Sequence, residues 1–210
     1  MEDIARTGTG RVQRAQQRQD AQQRLLDAAV SQLAAEGMRG LTHRRVEQRA
    51  GLAQGSAKYY FGSSEALIEA VLDHLSARDL PLVLEVSPAE RAAAADGHLD
   101  GLQQRAEQIA AVMLSRSDEA RARFQIYLYA SGRPRLQAMV AAARDRFADT
   151  IAESLPGPGS EAAARFVCAV IDGILLDQLS APNLTVAQHA GHYLLAAGAA
   201  GAQIAAETGT

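Results

Sequence analysis

Apolar residues recur at helical spacing along most of this chain, and no segment alternates as a strand does. Leu26, Ala29, Val30 and Leu33 fall at i, i+3, i+4 and i+7, which predicts a helix from about Gln17 to Gly37. Residues 1–17 are polar, carry Arg6, Arg11 and Arg14, and lack this periodicity, so they read as a flexible basic arm. Thr42 is placed to cap a second helix that runs to Ala50 and buries Val46 and Ala50. Gln54 to Tyr60 forms a third. Ser63 caps a fourth, with Glu65 in the first turn, where the helix dipole favours negative charge. Leu67, Ile68, Val71, Leu72 and Leu75 give that helix a buried stripe, and the helical head, residues 18–78, closes near Arg78.

Beyond Pro81 the pattern predicts five longer helices. Ser87-Pro88-Ala89-Glu90 is a capping box with proline at the first helical position, and Gly97 and Gly101 bend or interrupt the helix it opens. Ser117 and Pro134 open the next two helices, the second passing Met139, Val140 and Phe147. Ser160 caps a strongly apolar helix carrying Phe166, Val167, Val170, Ile171, Ile174 and Leu175. A second capping box, Thr185-Val186-Ala187-Gln188, opens a last helix that reaches about Glu207. The expected architecture is all-α, with about nine helices divided between residues 18–78 and 79–210.

Composition agrees with that picture: alanine and leucine dominate, and there are only 6 prolines. No apolar run approaches the roughly 20 residues that span a bilayer, and the N-terminus has no secretory apolar segment. A single cysteine excludes an internal disulfide and suits a reducing cytoplasm. Charge is unevenly placed. Residues 1–62 hold 10 Lys+Arg against 6 Asp+Glu, and residues 63–210 hold the remaining 11 against 18. A basic first third on an acidic body is the pattern of a DNA-binding head joined to a domain with another task.

Within that head, Leu41–Leu67 reads LTHRRVEQRAGLAQGSAKYYFGSSEAL. Two short helices around a glycine turn, carrying Arg44, Arg45, Arg49 and the chain's sole lysine, Lys58, describe a DNA-reading helix-turn-helix. Gly51 closes the first helix with positive φ, and Gly55 lets the recognition helix lie against the groove. Val46, Leu52 and Phe61 are core positions. Ala28-Ala29, Glu36-Gly37, Thr42, Val46, Ala50-Gly51-Leu52, Gly55, Tyr60-Phe61, Ser63 and Glu65-Ala66-Leu67 together resemble the DNA-binding domain of TetR-type transcriptional regulators over roughly residues 18–78.

The resemblance implies that Thr42, His43, Arg44 and Arg45, then Gln54, Gly55, Ser56, Lys58, Tyr59 and Tyr60, face double-stranded DNA. Arg44 or Gln54 suits a base edge through paired hydrogen bonds. Ser56, Lys58 and Tyr59 suit phosphates. Alternatives stay open: Tyr60 as core, His43 as plain surface, and the arm arginines as an inert tail or as minor-groove contacts. The sequence departs from the family where tyrosine is common and Lys58 stands here, and where lysine is common and Ser64 stands here. Positive charge has moved from one helix to its neighbour.

Residues 79–210 correspond to the family's effector-binding and dimerising half, with Ile171-Asp172-Gly173 as the matching segment. Met113, Phe124, Tyr127, Met139 and Phe147 are the large side chains available to line a pocket for a mostly hydrophobic small molecule, each with plain core as its alternative. Gly191, Gly198 and Gly201 in the last helix suggest close helix approach across a homodimer, with a frayed alanine-rich tail as the alternative. Scattered histidines and a Cys168 in an apolar run argue no metal site, no cofactor is implied, and no catalytic motif is present. The expected function is a cytoplasmic, ligand-responsive repressor released from a palindromic operator by its effector. The rivals are a constitutive or architectural DNA-binding protein and an all-α enzyme or carrier with an incidental basic head.

Overall fold

The computed structural model describes residues 2–84, 100–154 and 159–208 of the 210-residue chain. The described residues are almost entirely helical and include no strand: α1 (Glu2–Gly40), α2 (His43–Ala50), α3 (Ser56–Phe61), α4 (Ser64–Leu84), α5 (Asp100–Ser115), α6 (Ser117–Ala130), α7 (Pro134–Ser154), α8 (Ser160–Ser180), α9 (Leu184–Gln188) and α10 (Ala190–Thr208). They form two compact units, Met1–His74 and Leu75–Thr210, with α4 contributing to both. The division therefore falls inside α4, a little before the Arg78 boundary that the periodicity suggested.

In the first unit the apolar stripe of α1 (Leu25, Ala29 and Leu33) is wholly buried with Val46, Ala57, Leu67 and Val71 from α2, α3 and α4. Thr42 caps α2 as expected, its hydroxyl accepting from the Arg45 amide at 3.4 Å. The Ser63 hydroxyl accepts from the Ala66 amide at 3.1 Å at the start of α4. His74, buried on α4, meets Asp27 of α1 at 3.0 Å.

Three features of α1 and α4 differ from their expected form. Residues 2–17 are not an irregular arm but helical, continuous with α1. Arginine, glutamine and alanine are good helix formers, and each residue added to an existing helix gains a hydrogen bond without a new nucleation cost. At the other end of α1, Gly37 leaves helical geometry as expected, but one further turn follows it to Gly40. Pro81 lies inside α4 rather than ending it, and the helix continues to Leu84.

In the second unit α10 packs against α8 and α5, and α7 and α6 complete the layer around α8. Met113, Ile151, Val167, Cys168, Ile171, Leu175 and Leu194 form its core. The Ser87 capping box and Gly97 lie outside the described residues. The expected last helix is divided. Asn183, not Thr185, supplies the cap, its side-chain oxygen accepting from the Thr185 and Val186 amides at 2.9 and 3.3 Å. The short α9 then stops at His189, whose ring nitrogen lies 2.8 Å from the Thr185 carbonyl, before α10 begins.

Candidate nucleic-acid interface and effector region

The helix-turn-helix of α2 and α3 is held by polar contacts that tie up some of its charges and leave others free. Gly51 adopts φ 62° and ends α2, its amide bonding back to the Gln48 and Glu47 carbonyls. From α1, the Arg24 guanidinium donates to the Ala50 carbonyl at 2.6 Å, capping the same helix end with a positive charge where the dipole is negative. Arg49 donates to Gln32 at 2.8 Å and to the Ser31 hydroxyl at 2.7 Å, so it clamps α2 to α1. Arg45 pairs with Glu36.

The recognition helix α3 starts differently from what its sequence suggests. Its cap residue Gly55 sits at φ 92°, a backbone conformation that favours glycine, with open space where a side chain would be. With no cap side chain at hand, Glu47 of α2 substitutes: its carboxylate is buried and accepts from the Ala57 amide at 2.9 Å. Tyr59 is well exposed, and its hydroxyl accepts from Arg18 of α1 at 3.1 Å. Its ring meets Tyr60 edge-on at 5.2 Å. Tyr60 is half-buried beside the buried Phe61.

Of the ten residues selected for DNA contact, Thr42, Arg44, Arg45, Gln54, Gly55, Lys58 and Tyr59 are exposed, and His43, Ser56 and Tyr60 are half-buried. His43 Nε2 is buried without a partner among the described residues. Arg44 and Lys58 are exposed and carry no ion pair among the described residues. Glu47 and Arg24, two of the residues that hold this arrangement, carry no local signal in the sequence. Capping across helices leaves no local spacing to read.

The five candidate effector residues do not share one environment. Met113 is buried and lines a cavity of about 10 Å³ with Ala110, Leu114, Ile171, Ile174, Leu175, Ala190 and Leu194, room for little more than a water molecule. Phe124 and Phe147 pack on the core, whereas half-buried Met139 lies outside that cluster. Tyr127 meets Phe124 edge-on at 6.1 Å, and the Arg144 guanidinium lies 5.3 Å from its ring centroid. Burial pushes the Tyr127 hydroxyl above its ordinary pKa, against the opposing pull of Arg123 and Arg144.

Around Tyr127 runs a polar chain of which the sequence marked only Asp172, within Ile171-Asp172-Gly173. Arg144 pairs with Asp172, and Arg123 with the buried Asp79 of α4. Arg116 also approaches Asp79, at 3.6 Å, and Arg78 pairs with Glu119 at 2.9 Å. Cys168 is buried nearby, and desolvation raises its thiol to about 11. Among the described residues no cluster of three potential ligands for a metal occurs, and no helix is long and apolar enough to cross a membrane.

Two glycines of α10, Gly191 and Gly201, are packed against other helices of the chain. A side chain at Gly191 would meet the Glu107 backbone at 2.6 Å, and one at Gly201 would meet Ala163 at 2.5 Å. Close approach is therefore the reason for these two glycines, each against a neighbouring helix of the same chain. Gly173 on α8 is different: nothing lies within 4 Å of its missing side chain. It sits at helical spacing in an exposed stripe with Phe166 and Leu176, and α10 adds exposed Tyr193 and Ile204.

Two family models match the chain: "Bacterial regulatory proteins, tetR family" over residues 25–71, and "Tetracyclin repressor-like, C-terminal domain" over residues 99–202. A comparison with curated proteins gave no significant match. Among solved structures, a TetR-family member from Streptomyces coelicolor A3 is 25% identical, covering 84% of this chain and 97% of its own, with a TM-score of 0.65. The multidrug binding protein EbrR, solved with malachite green, is 26% identical, with coverages of 84% and 96% and a TM-score of 0.60. A transcriptional regulator from Rhodococcus sp. Rha1, 21% identical with coverages of 87% and 94% and a TM-score of 0.62, shares the fold.

Proposed function

We propose that this chain, which belongs to the TetR family of bacterial regulatory proteins, is a ligand-responsive repressor that grips a palindromic operator as a homodimer. The observation that carries the reading is the division of labour among the charges of the first unit. Arg24, Arg45 and Arg49 are engaged in holding α2, while Arg44 and Lys58 stand exposed on α2 and α3. A rigidly capped recognition helix with free cations and an exposed tyrosine suits phosphates and base edges of duplex DNA. Thr42, His43, Gln54, Gly55, Ser56 and Tyr60 complete the proposed contact set.

Dimerisation is inferred from the exposed apolar stripe of α8 and α10 (Phe166, Leu176, Tyr193 and Ile204), which a second copy would cover. Gly173 in its midst allows two α8 helices to approach closely.

EbrR binds proflavin, ethidium and malachite green. By analogy the second unit takes a small, mostly hydrophobic effector near Phe124, Tyr127 and Phe147, and the Arg144–Asp172 pair offers it a polar handle. Release would run through α4, whose Arg78 and Asp79 pair with Glu119 and Arg123 of α6. A coupling of about 1–3 kcal/mol would change operator affinity by about 5–150-fold. The reading is of a cytoplasmic binding protein without cofactor or catalysis.

The test is duplex binding by fluorescence anisotropy as salt is raised. A true operator binder with 6–10 phosphate contacts loses affinity by roughly 10³–10⁵ between 50 and 200 mM salt. Replacing Arg44 and Lys58 by alanine should weaken binding throughout that range. An unchanged affinity in that double variant would return the lead to an enzyme or carrier with an incidental basic head. Operator binding that no effector weakens would favour a constitutive regulator.

A further inference from the structure

The stretch of α1 from Val12 to Asp20 gains no core packing from being helical. Every side chain from Val12 to Asp20 is exposed, so this stretch contributes nothing to the core. A helix with no buried face is marginal by itself, so a partner suited to its exposed side chains would add to its stability. Its charge names the kind of partner. Arg14 and Arg18 lie one turn apart on one face, and neither makes an ion pair among the described residues. The one acid in this stretch, Asp20, accepts from Gln16 at 3.0 Å on the same helix.

Its direction is set by the recognition helix. Arg18 donates to the Tyr59 hydroxyl at 3.1 Å, and an open groove is lined by Arg14, Arg18, Gln22 and Tyr60. The Arg18–Tyr59 bond uses one of five guanidinium donors and leaves the others free. The basic face of α1 is thus continuous with the exposed face of α3.

We propose that Arg14 and Arg18 form a second phosphate-binding surface, which takes the sugar–phosphate backbone of duplex DNA beside the half-site that α3 reads. The surface rests on the operator-binding reading and extends it. Because the segment is already helical, binding does not have to pay for ordering an arm, and Tyr59 holds Arg18 toward the duplex. Arginine forks match phosphate oxygens, so the contacts position the protein and carry no base preference.

The experiment compares the full-length wild-type chain with Arg14→Ala/Arg18→Ala on one operator duplex and one unrelated duplex, across a salt series. Circular dichroism verifies that the variant is folded, and Arg121→Ala, an exposed arginine of the second unit, serves as the charge control. The expected result is a slope of log affinity against log salt shallower by about 1 for each arginine removed. Both duplexes should weaken by the same factor, while Arg121→Ala keeps the wild-type slope. A wild-type chain that binds no duplex overturns both this surface and the operator reading. Wild-type binding with an unchanged slope in the double variant overturns this surface alone.

Discussion

The carboxylate of Glu47, buried in α2, accepts the amide hydrogen of Ala57 at 2.9 Å and so caps the recognition helix from outside it. The contact joins the two helices of the DNA-reading motif through a single hydrogen bond. Glu47→Ala leaves the Ala57 amide without its acceptor, at a cost of about 1–3 kcal/mol in thermal unfolding. Operator affinity should fall further than nonspecific affinity, because base contacts depend on the placement of α3. Glu47→Gln keeps an acceptor oxygen and should restore most of both. Equal operator affinity in Glu47→Ala and wild type would remove Glu47 from this role.

A second prediction separates two kinds of glycine. Gly201→Val forces a side chain to within 2.5 Å of Ala163, an overpacking that costs about 1–3 kcal/mol in stability. Gly173→Arg meets open space in the single chain but places a charge in the exposed apolar stripe. It should fold normally and sediment as a monomer. A dimeric Gly173→Arg would place the interface elsewhere.

The ion pair between Asp79 and Arg123 is almost fully buried. Burial opposes the Arg123 charge, but Asp79, Tyr127 and Asp172 together outweigh it, and the arginine's pKa is raised overall. Asp79→Ala strands that charge and should cost about 3–5 kcal/mol, measured by denaturant unfolding. Replacing both partners by apolar residues of similar volume should recover most of the loss. If Asp79→Ala alone is neutral, the pair is not structural.

Cys168 supplies a pH test. Desolvation raises its thiol from 9.0 to about 11, so the folded chain holds the proton more tightly than the unfolded one. That contribution is complete below pH 9 and is lost as pH rises toward 11. Melting temperature should drop across this window, and Cys168→Ala should lack that part of the drop. The native thiol should also resist alkylation at pH 8. Rapid alkylation of the folded protein would contradict the burial argument.

Legibility in the sequence depends on how local each signal is. Thr42 as a cap, Gly51 as a left-handed stop and the Leu67–Leu75 stripe depend on neighbours within a turn or two, and each has its expected form. Glu47, Arg24 and Arg49 act across helices, so their roles emerge only when α1, α2 and α3 are brought together. The close approach suggested by Gly191 and Gly201 was legible, but its partners, Glu107 and Ala163, were not. Residues 2–17 were misjudged because the absence of an apolar stripe excludes a packed helix, not a helix that extends a packed one.

The central claim is that two copies of this chain read an inverted repeat in duplex DNA. Selection from a pool of random duplexes by the purified protein, with sequencing of the bound fraction, tests it most directly. The account predicts enrichment of two inverted half-sites centred about one helical turn apart, roughly 34–36 Å. Enrichment of a single unrepeated site, or of no sequence at all, would contradict it.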